Sequence, residues 1–328
     1  MKELIKTKNF ALIFSHQGPD GDSVGSSIAL SLYLTKIGIG NKIIFPDSYP
    51  HFLSWLSGIN NSIIASENLD KVEELYNKSD LIFCLDFNHR SRVGNDLQKL
   101  ISKNNDKFIF VFDHHTRPEN FGNYEIIDQK SSSTCELIYK FIDSNNDLDL
   151  IDIPISEAIY TGIITDTGSF KYSSVSSFTH KIAAFLKDKG LDQVKIHDKI
   201  FDQNDVSKIN LLGYALQKIK IEESVSLASL VLTEEELSMF DYQKGDSEGF
   251  VNYCLSIKGV ENAVFLREDK ELIKISFRSK GKVKVNEFSN KYYGGGGHQN
   301  AAGAVVKRQD VDLVVKELIQ NFKIFCSE

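Results

Sequence analysis

The chain has 328 residues, 41% of them hydrophobic and 25% charged, with a formal net charge of −7. Single hydrophobic cores stop growing at roughly 250 residues, so two folded domains are expected, and the apolar content is enough for both. The acidic balance excludes a protein that grips long nucleic acid through many phosphate contacts, which needs a basic face, but leaves small anionic substrates open.

The four cysteines, Cys84, Cys135, Cys254 and Cys326, form no C-x-x-C pair. They suit neither a disulfide framework nor a zinc site. The first apolar run, residues 10–14, is too short for a signal-peptide core or a membrane span, so a cytoplasmic protein is expected. That run belongs to a strand at 9–15, and an amphipathic helix is expected at 26–37. Apolar runs at 42–45, 81–85 and 108–112 read as strands buried on both faces, with helical patterns between them. The alternation predicts an α/β fold with a doubly wound, mainly parallel sheet, whose ligands collect beyond the carboxyl ends of the strands.

Residues 181–216 read as a polar helical connector with Gly190 as a stop signal. The expected division is 1–185, a linker at 186–217, and a second, smaller α/β domain with a mixed sheet at 218–328. In that last part 225–232, 263–267 and 272–278 read as strands, the last two joined by a turn around Asp269 and Lys270. A closing amphipathic helix at 310–322 has Asp310 as its N-cap.

Reactive residues gather after the expected strands. The first is followed by His16-Gln17-Gly18-Pro19-Asp20-Gly21-Asp22, a turn that can aim an imidazole and two carboxylates at one spot. The same pattern also serves as an ordinary solvated helix start, and its acidic spacing does not fit an EF-hand. Asp86 follows the run at 81–85, where capping the next helix is the plain alternative. Asp113-His114-His115 follows the run at 108–112, and two adjacent histidines behind an acid have no simple structural reason. Asp166 lies in Thr165-Asp166-Thr167-Gly168 after an apolar stretch, with small residues that permit close approach. Imidazole and carboxylate ligands without thiolate suit Mn²⁺ or Mg²⁺ better than structural zinc.

These motifs, with Gly294-Gly295-Gly296-Gly297-His298-Gln299-Asn300-Ala301-Ala302-Gly303, resemble the DHH phosphoesterases with their DHHA1 substrate domain, in the family's order and over nearly the whole chain. The short arrangement is similar to the nanoRNase and pAp-phosphatase branch rather than to the longer RecJ-like nucleases. The resemblance implies two divalent cations, Mn²⁺ first, with Mg²⁺ or Co²⁺ as alternatives. His16 and Asp20 would hold one, Asp22, His114 and Asp166 the other, and Asp86 would bridge them. His115 would contact the scissile phosphate while Asp113 orients His114. Gly21 stands where many members have alanine.

On the substrate side the resemblance points to Arg278 and Ser279, to Gly296, Gly297 and His298, and more weakly to Arg92. Backbone amides of the glycine run could approach a phosphate, and His298 could stack on a base. Four glycines could equally be a hinge, and no G-x-G-x-x-G can be placed there. The implied activity is release of nucleoside monophosphates from very short single-stranded RNA and removal of the 3′-phosphate of pAp. The alternatives are a phosphodiesterase for cyclic or linear dinucleotides (c-di-AMP, pApA) and a nucleotide-binding regulator without catalysis. No long nucleic acid and no membrane are expected as partners, and a homodimer is implied by the family alone.

Overall fold

The structure is a computed structural model that describes residues 2–103, 107–243 and 245–327, the side chain of His298 lying outside that description. It divides the chain into two compact units, Met1–Gln203 and Asn204–Glu328. The division falls inside the stretch read from sequence as a connector.

The first unit runs α1 (Lys2–Lys6), β1 (Phe10–Phe14), α2 (Gly21–Lys36), β2 (Gly40–Phe45), β3 (Ser62–Ile64), α3 (Leu69–Lys78), β4 (Leu81–Leu85), α4 (Asn95–Ile101), β5 (Phe108–Asp113) and β6 (Tyr124–Ile127). Helices α5 (Thr134–Ser144), α6 (Ile153–Asp166), α7 (Ser177–Asp188) and α8 (Gln193–Phe201) complete it. Its six strands are ordered β3-β2-β1-β4-β5-β6, every neighbouring pair parallel.

Successive strand residues point to opposite faces, and both faces are covered. Ala11, Ile13, Phe83 and Phe112 pack into one core with α2, α5 and α6. Leu12, Phe14, Ile82, Cys84 and Val111 pack into the other with α3 and α4. This is the doubly wound sheet expected. Strands β3 and β6 had no counterpart among the expected strands, being only three and four residues long.

Helix α2 begins at Gly21 rather than near residue 26, because Asp20 caps it by accepting from the Asp22 and Ser23 amides. Thirteen of its sixteen residues are buried, so it is enclosed rather than amphipathic.

The second unit holds α9 (Val206–Gln217), β7 (Lys220–Glu222), β8 (Leu227–Leu232), α10 (Glu234–Ser238), α11 (Phe250–Ser256), β9 (Asn262–Glu268), β10 (Leu272–Ser279), α12 (Val285–Tyr293), β11 (Gly296–His298), β12 (Ala301–Lys307) and α13 (Val311–Ser327). The strands form one mixed sheet, β11-β12-β10-β9-β8-β7, parallel only at β8–β9. One face packs on α12 and α13 and the other on α9 and α11. Asp310 caps α13 through the Asp312 and Leu313 amides. Among the described residues no helix is long and apolar enough to cross a membrane.

Candidate metal centre

The strand order of the first sheet reverses between β1 and β4, and ligands of such sheets bind at that point beyond the carboxyl ends. His16 follows β1, Asp86 follows β4, and Asp113, His114 and His115 end or follow β5. Asp22 and Asp166 come instead from two helices, the first turn of α2 and the last residue of α6. Those helices approach closely because glycine lines the contact. A Cβ on Gly25 would lie 2.5 Å from the Ala158 carbonyl, and one on Gly162 would lie 2.8 Å from the Asp22 carboxylate. A Cβ on Gly21 would lie 2.2 Å from the Thr165 hydroxyl, which accounts for the glycine there.

The side chains converge in two groups that share Asp86. In the first, His16 Nε2 lies 3.3 Å from Asp86 Oδ2 and 3.8 Å from Asp20 Oδ1. In the second, His114 Nε2 lies 3.5 Å from Asp166, 3.6 Å from Asp86 Oδ1 and 3.7 Å from Asp22. One oxygen of Asp86 thus faces each imidazole. Asp22, His114 and Asp166 offer ligand atoms within 4.8 Å of one another, as do His16, Asp20 and Asp86. Donors on one divalent cation, bonded at about 2.1 Å, lie roughly 3.0 Å apart when adjacent and about 4.2 Å apart when opposite, so this spacing and this oxygen–nitrogen set fit such ions.

The tautomers fit as well. Nδ1 of His16 donates to the Gln17 carbonyl at 2.8 Å, and Nδ1 of His114 donates to the Ser131 carbonyl at 3.2 Å. A carbonyl only accepts, so each ring keeps a proton on Nδ1 and turns Nε2, the nitrogen a cation would take, toward the carboxylates. Asp86 has positive φ, 64°, an uncommon backbone for a residue other than glycine and one that clusters at functional sites.

Electrostatics mark the same place. Burial pushes the Asp22 carboxyl well above its usual range, and the charges of Asp86, Asp166 and Asp20 push it further. Burial also works against the charge on Asp86, but His16, His115 and His114 outweigh it and hold that carboxyl far below its usual range. Burial opposes a charge on His16, yet Asp20 and Asp86 prevail and raise its pKa to about 10. A cation would relieve the crowding of these carboxylates.

Asp113, which the resemblance assigned to His114, bonds to His115. Its Oδ1 accepts from His115 Nδ1 at 2.7 Å and its Oδ2 from the His115 amide at 2.9 Å. Residues two apart on an extended backbone share a face, which pairs Asp113 with His115 and sends His114 the other way.

Among the substrate-side residues, Arg92 is exposed in the turn Arg90–Val93, and its carbonyl accepts from the Gln17 amide at 2.7 Å. Arg278 is half-buried near the end of β10, and it and His298 both pair in register with Ala301. Ser279 turns inward: it is 6% exposed, its hydroxyl donates to the Val283 carbonyl at 2.7 Å and accepts from Asn300 at 2.7 Å. That hydroxyl pins a loop. Gly296 and Gly297 pair with Gly303 and Ala302 in an edge hairpin. Gly297 has φ +140°, and a Cβ there would lie 2.4 Å from the Ala301 carbonyl, while Gly296 has open space.

Sequence reasoning missed Thr134, whose hydroxyl donates to Asp86 Oδ1 at 2.9 Å and whose amide donates to Asp22 at 2.6 Å. The Cys135 amide adds a second donor to Asp22 at 2.9 Å. The start of α5 thus cradles Asp22, and the signal for it was the Ser133-x-x-Glu136 pattern before an apolar run. Asn88, which donates to the His115 carbonyl at 2.9 Å, was also missed.

A parallel sheet that gathers carboxylates and imidazoles at its switch point in this way defines a protein built to hold divalent cations. Residues 11–163 match the DHH family, N-terminal domain, and residues 227–324 match the DHHA1 domain. The chain is 28% identical to the bifunctional oligoribonuclease and PAP phosphatase NrnA of Thermus thermophilus, over 94% of this chain and 87% of that one. The crystal structure of an exopolyphosphatase-related protein from Bacteroides fragilis superposes with a TM-score of 0.93 at 35% identity, covering 99% of this chain and 96% of the other. The cyclic-di-AMP phosphodiesterase PdeA of Listeria monocytogenes is 26% identical over 97% of this chain but only 48% of its own length. The chain belongs to the DHH phosphoesterase family.

Proposed function

We propose that this protein hydrolyses very short oligoribonucleotides to nucleoside monophosphates and removes the 3′-phosphate of pAp, using two divalent cations, Mn²⁺ foremost. The observation that carries the reading is Asp86, with one carboxylate oxygen toward His16 and the other toward His114. His16 and Asp20 would hold one cation, and Asp22, His114 and Asp166 the other. Bound there, the cations would supply Lewis acidity toward phosphate oxygens and acidify water at the site.

The chain's own groups do the rest. Asp113 fixes the His115 ring by taking the Nδ1 proton in a hydrogen bond, so the opposite nitrogen would meet a phosphoryl or leaving oxygen. Asn88 holds the backbone of His115 in place. Thr134 and Cys135 keep the Asp22 carboxylate aimed by donating to both of its oxygens. In the second unit, Arg278 would grip the far end of the substrate, with Gly296, Gly297 and His298 across β12 from it on the edge strand. The near full-length likeness to an oligoribonuclease and pAp phosphatase favours this substrate class over cyclic dinucleotides, because the cyclic-di-AMP phosphodiesterase PdeA matches over less than half of its own length.

Turnover of pAp, two- to five-nucleotide RNAs, pApA and cyclic di-AMP, measured side by side with Mn²⁺, tests the reading. The first two should dominate; preference for cyclic di-AMP would replace it with the dinucleotide alternative. Asp86→Ala should reduce hydrolysis to background with an unchanged circular dichroism spectrum, and near-normal turnover in added Mn²⁺ would sink the bridging role.

A further inference from the structure

We infer that Glu136 is a positioning residue of the metal centre, acting through the loop 131–134 on His114, Asp22 and Asp86. The inference rests on the reading that this cluster holds divalent cations. Glu136 lies in the first turn of α5, 2% exposed, and belongs to none of the candidate ligand groups. Its two oxygens are saturated. Oε1 accepts from Ser131 Oγ at 3.1 Å and from Lys140 at 3.0 Å. Oε2 accepts from Ser132 Oγ at 2.7 Å, the Ser132 amide at 3.4 Å and Thr179 Oγ1 at 2.8 Å.

The loop so held and the first two residues of α5 touch the centre at four points. The Ser131 carbonyl takes the Nδ1 proton of His114, which fixes the ring and its tautomer. The Thr134 and Cys135 amides hold both oxygens of Asp22, and the Thr134 hydroxyl holds Asp86. Three of the groups Glu136 fixes belong to Ser131 and Ser132, and a shift of that backbone moves the Ser131 carbonyl directly.

Helix capping alone does not account for this arrangement. The Ser133 hydroxyl accepts from the Glu136 amide, as an N-cap does. A reciprocal cap would send the Glu136 carboxylate to the Ser133 amide. It reaches one residue further back, to Ser132, and across to Thr179 on α7. Glu136 therefore ties the loop to a second helix, and partners of this kind behind metal ligands govern metal affinity.

The test is Mn²⁺ binding followed by the electron paramagnetic resonance signal of free Mn²⁺, on the full chain and on Glu136→Gln and Thr179→Val, with thermal unfolding of each metal-free protein alongside. Glu136→Gln should weaken Mn²⁺ binding about tenfold to a hundredfold. Thr179→Val, which removes a single donor to the same oxygen, should weaken it less and in the same direction. Wild-type affinity in a folded Glu136→Gln, whatever its melting temperature, overturns the inference. If that variant does not fold, unchanged affinity in Thr179→Val does so. A wild-type chain that takes up no Mn²⁺ overturns the metal reading and this inference with it, whereas uptake by wild type with unaltered variants overturns only the inference.

Discussion

His115 is held at both its ring and its amide by one carboxylate, Asp113, which is wholly buried. A charged acceptor on Nδ1 keeps the proton there and stabilises the ring if it gains a second proton during the reaction. Asp113→Asn removes that charge while keeping the side chain's shape. Positioned proton transfer contributes about a hundredfold or more, so kcat should fall by roughly that factor with KM little changed. Mn²⁺ affinity should stay at the wild-type level; a loss of affinity instead would show that Asp113 serves the metal ligand His114. The sequence marked Asp113 and His115 as reactive, yet their pairing follows from strand parity and not from motif order. The pattern Ser133-x-x-Glu136 marked the start of α5, but the role of Thr134 was illegible because its partners, Asp22 in α2 and Asp86 after β4, lie 112 and 48 positions away.

At the scale of elements, the centre depends on how closely α2 and α6 approach. Gly162 faces Cys135 Sγ at 2.2 Å and Asp22 at 2.8 Å from where a Cβ would stand. Gly162→Ala should therefore destabilise the fold by about 1–3 kcal/mol, the usual cost of overpacking, and weaken Mn²⁺ uptake by displacing Asp22. Urea unfolding and a metal titration measure the two effects separately. The anchoring of α5 also has a pH signature. Burial opposes the charge on Glu136, but donors on Ser132, Lys140 and Thr179 outweigh it and hold the carboxyl below its ordinary value of 4.5. A depressed carboxyl stabilises the fold fully above that value and loses its contribution as pH falls through the lowered one. The stability gap between wild type and Glu136→Gln should be largest near neutral pH and shrink toward pH 3; a gap that widens in acid would contradict the assigned role. Strands β1, β2, β4 and β5 were legible as apolar runs between turn signals. The start of α2 was not, because a helix enclosed on nearly every side loses the periodicity that marks a surface helix.

For the whole molecule, the glycine run shows where a motif stops informing function. Gly294 closes α12 with positive φ, and Gly297 takes a backbone only glycine adopts readily, so the edge hairpin explains these residues without a ligand. The substrate role of the second unit rests instead on Arg278, whose guanidinium is the group suited to a phosphate. Arg278→Ala should raise KM for pAp and for dinucleotides roughly tenfold to a hundredfold, the loss of one charge-assisted hydrogen bond, with kcat nearly unchanged. A chain of net charge −7 has little long-range attraction for a polyanion, so its affinity should depend on a few contacts. Each phosphate neutralised on a single strand contributes about 0.7 to the slope of log affinity against log salt. With one or two such contacts, KM for a dinucleotide should rise less than about tenfold between roughly 50 and 200 mM KCl. Arg278→Ala should flatten that dependence by close to one contact, and a twenty-nucleotide RNA should not outcompete the dinucleotide. A steep salt dependence with tight binding of the long RNA would mean that a basic track for nucleic acid exists, and the short-substrate reading would fall.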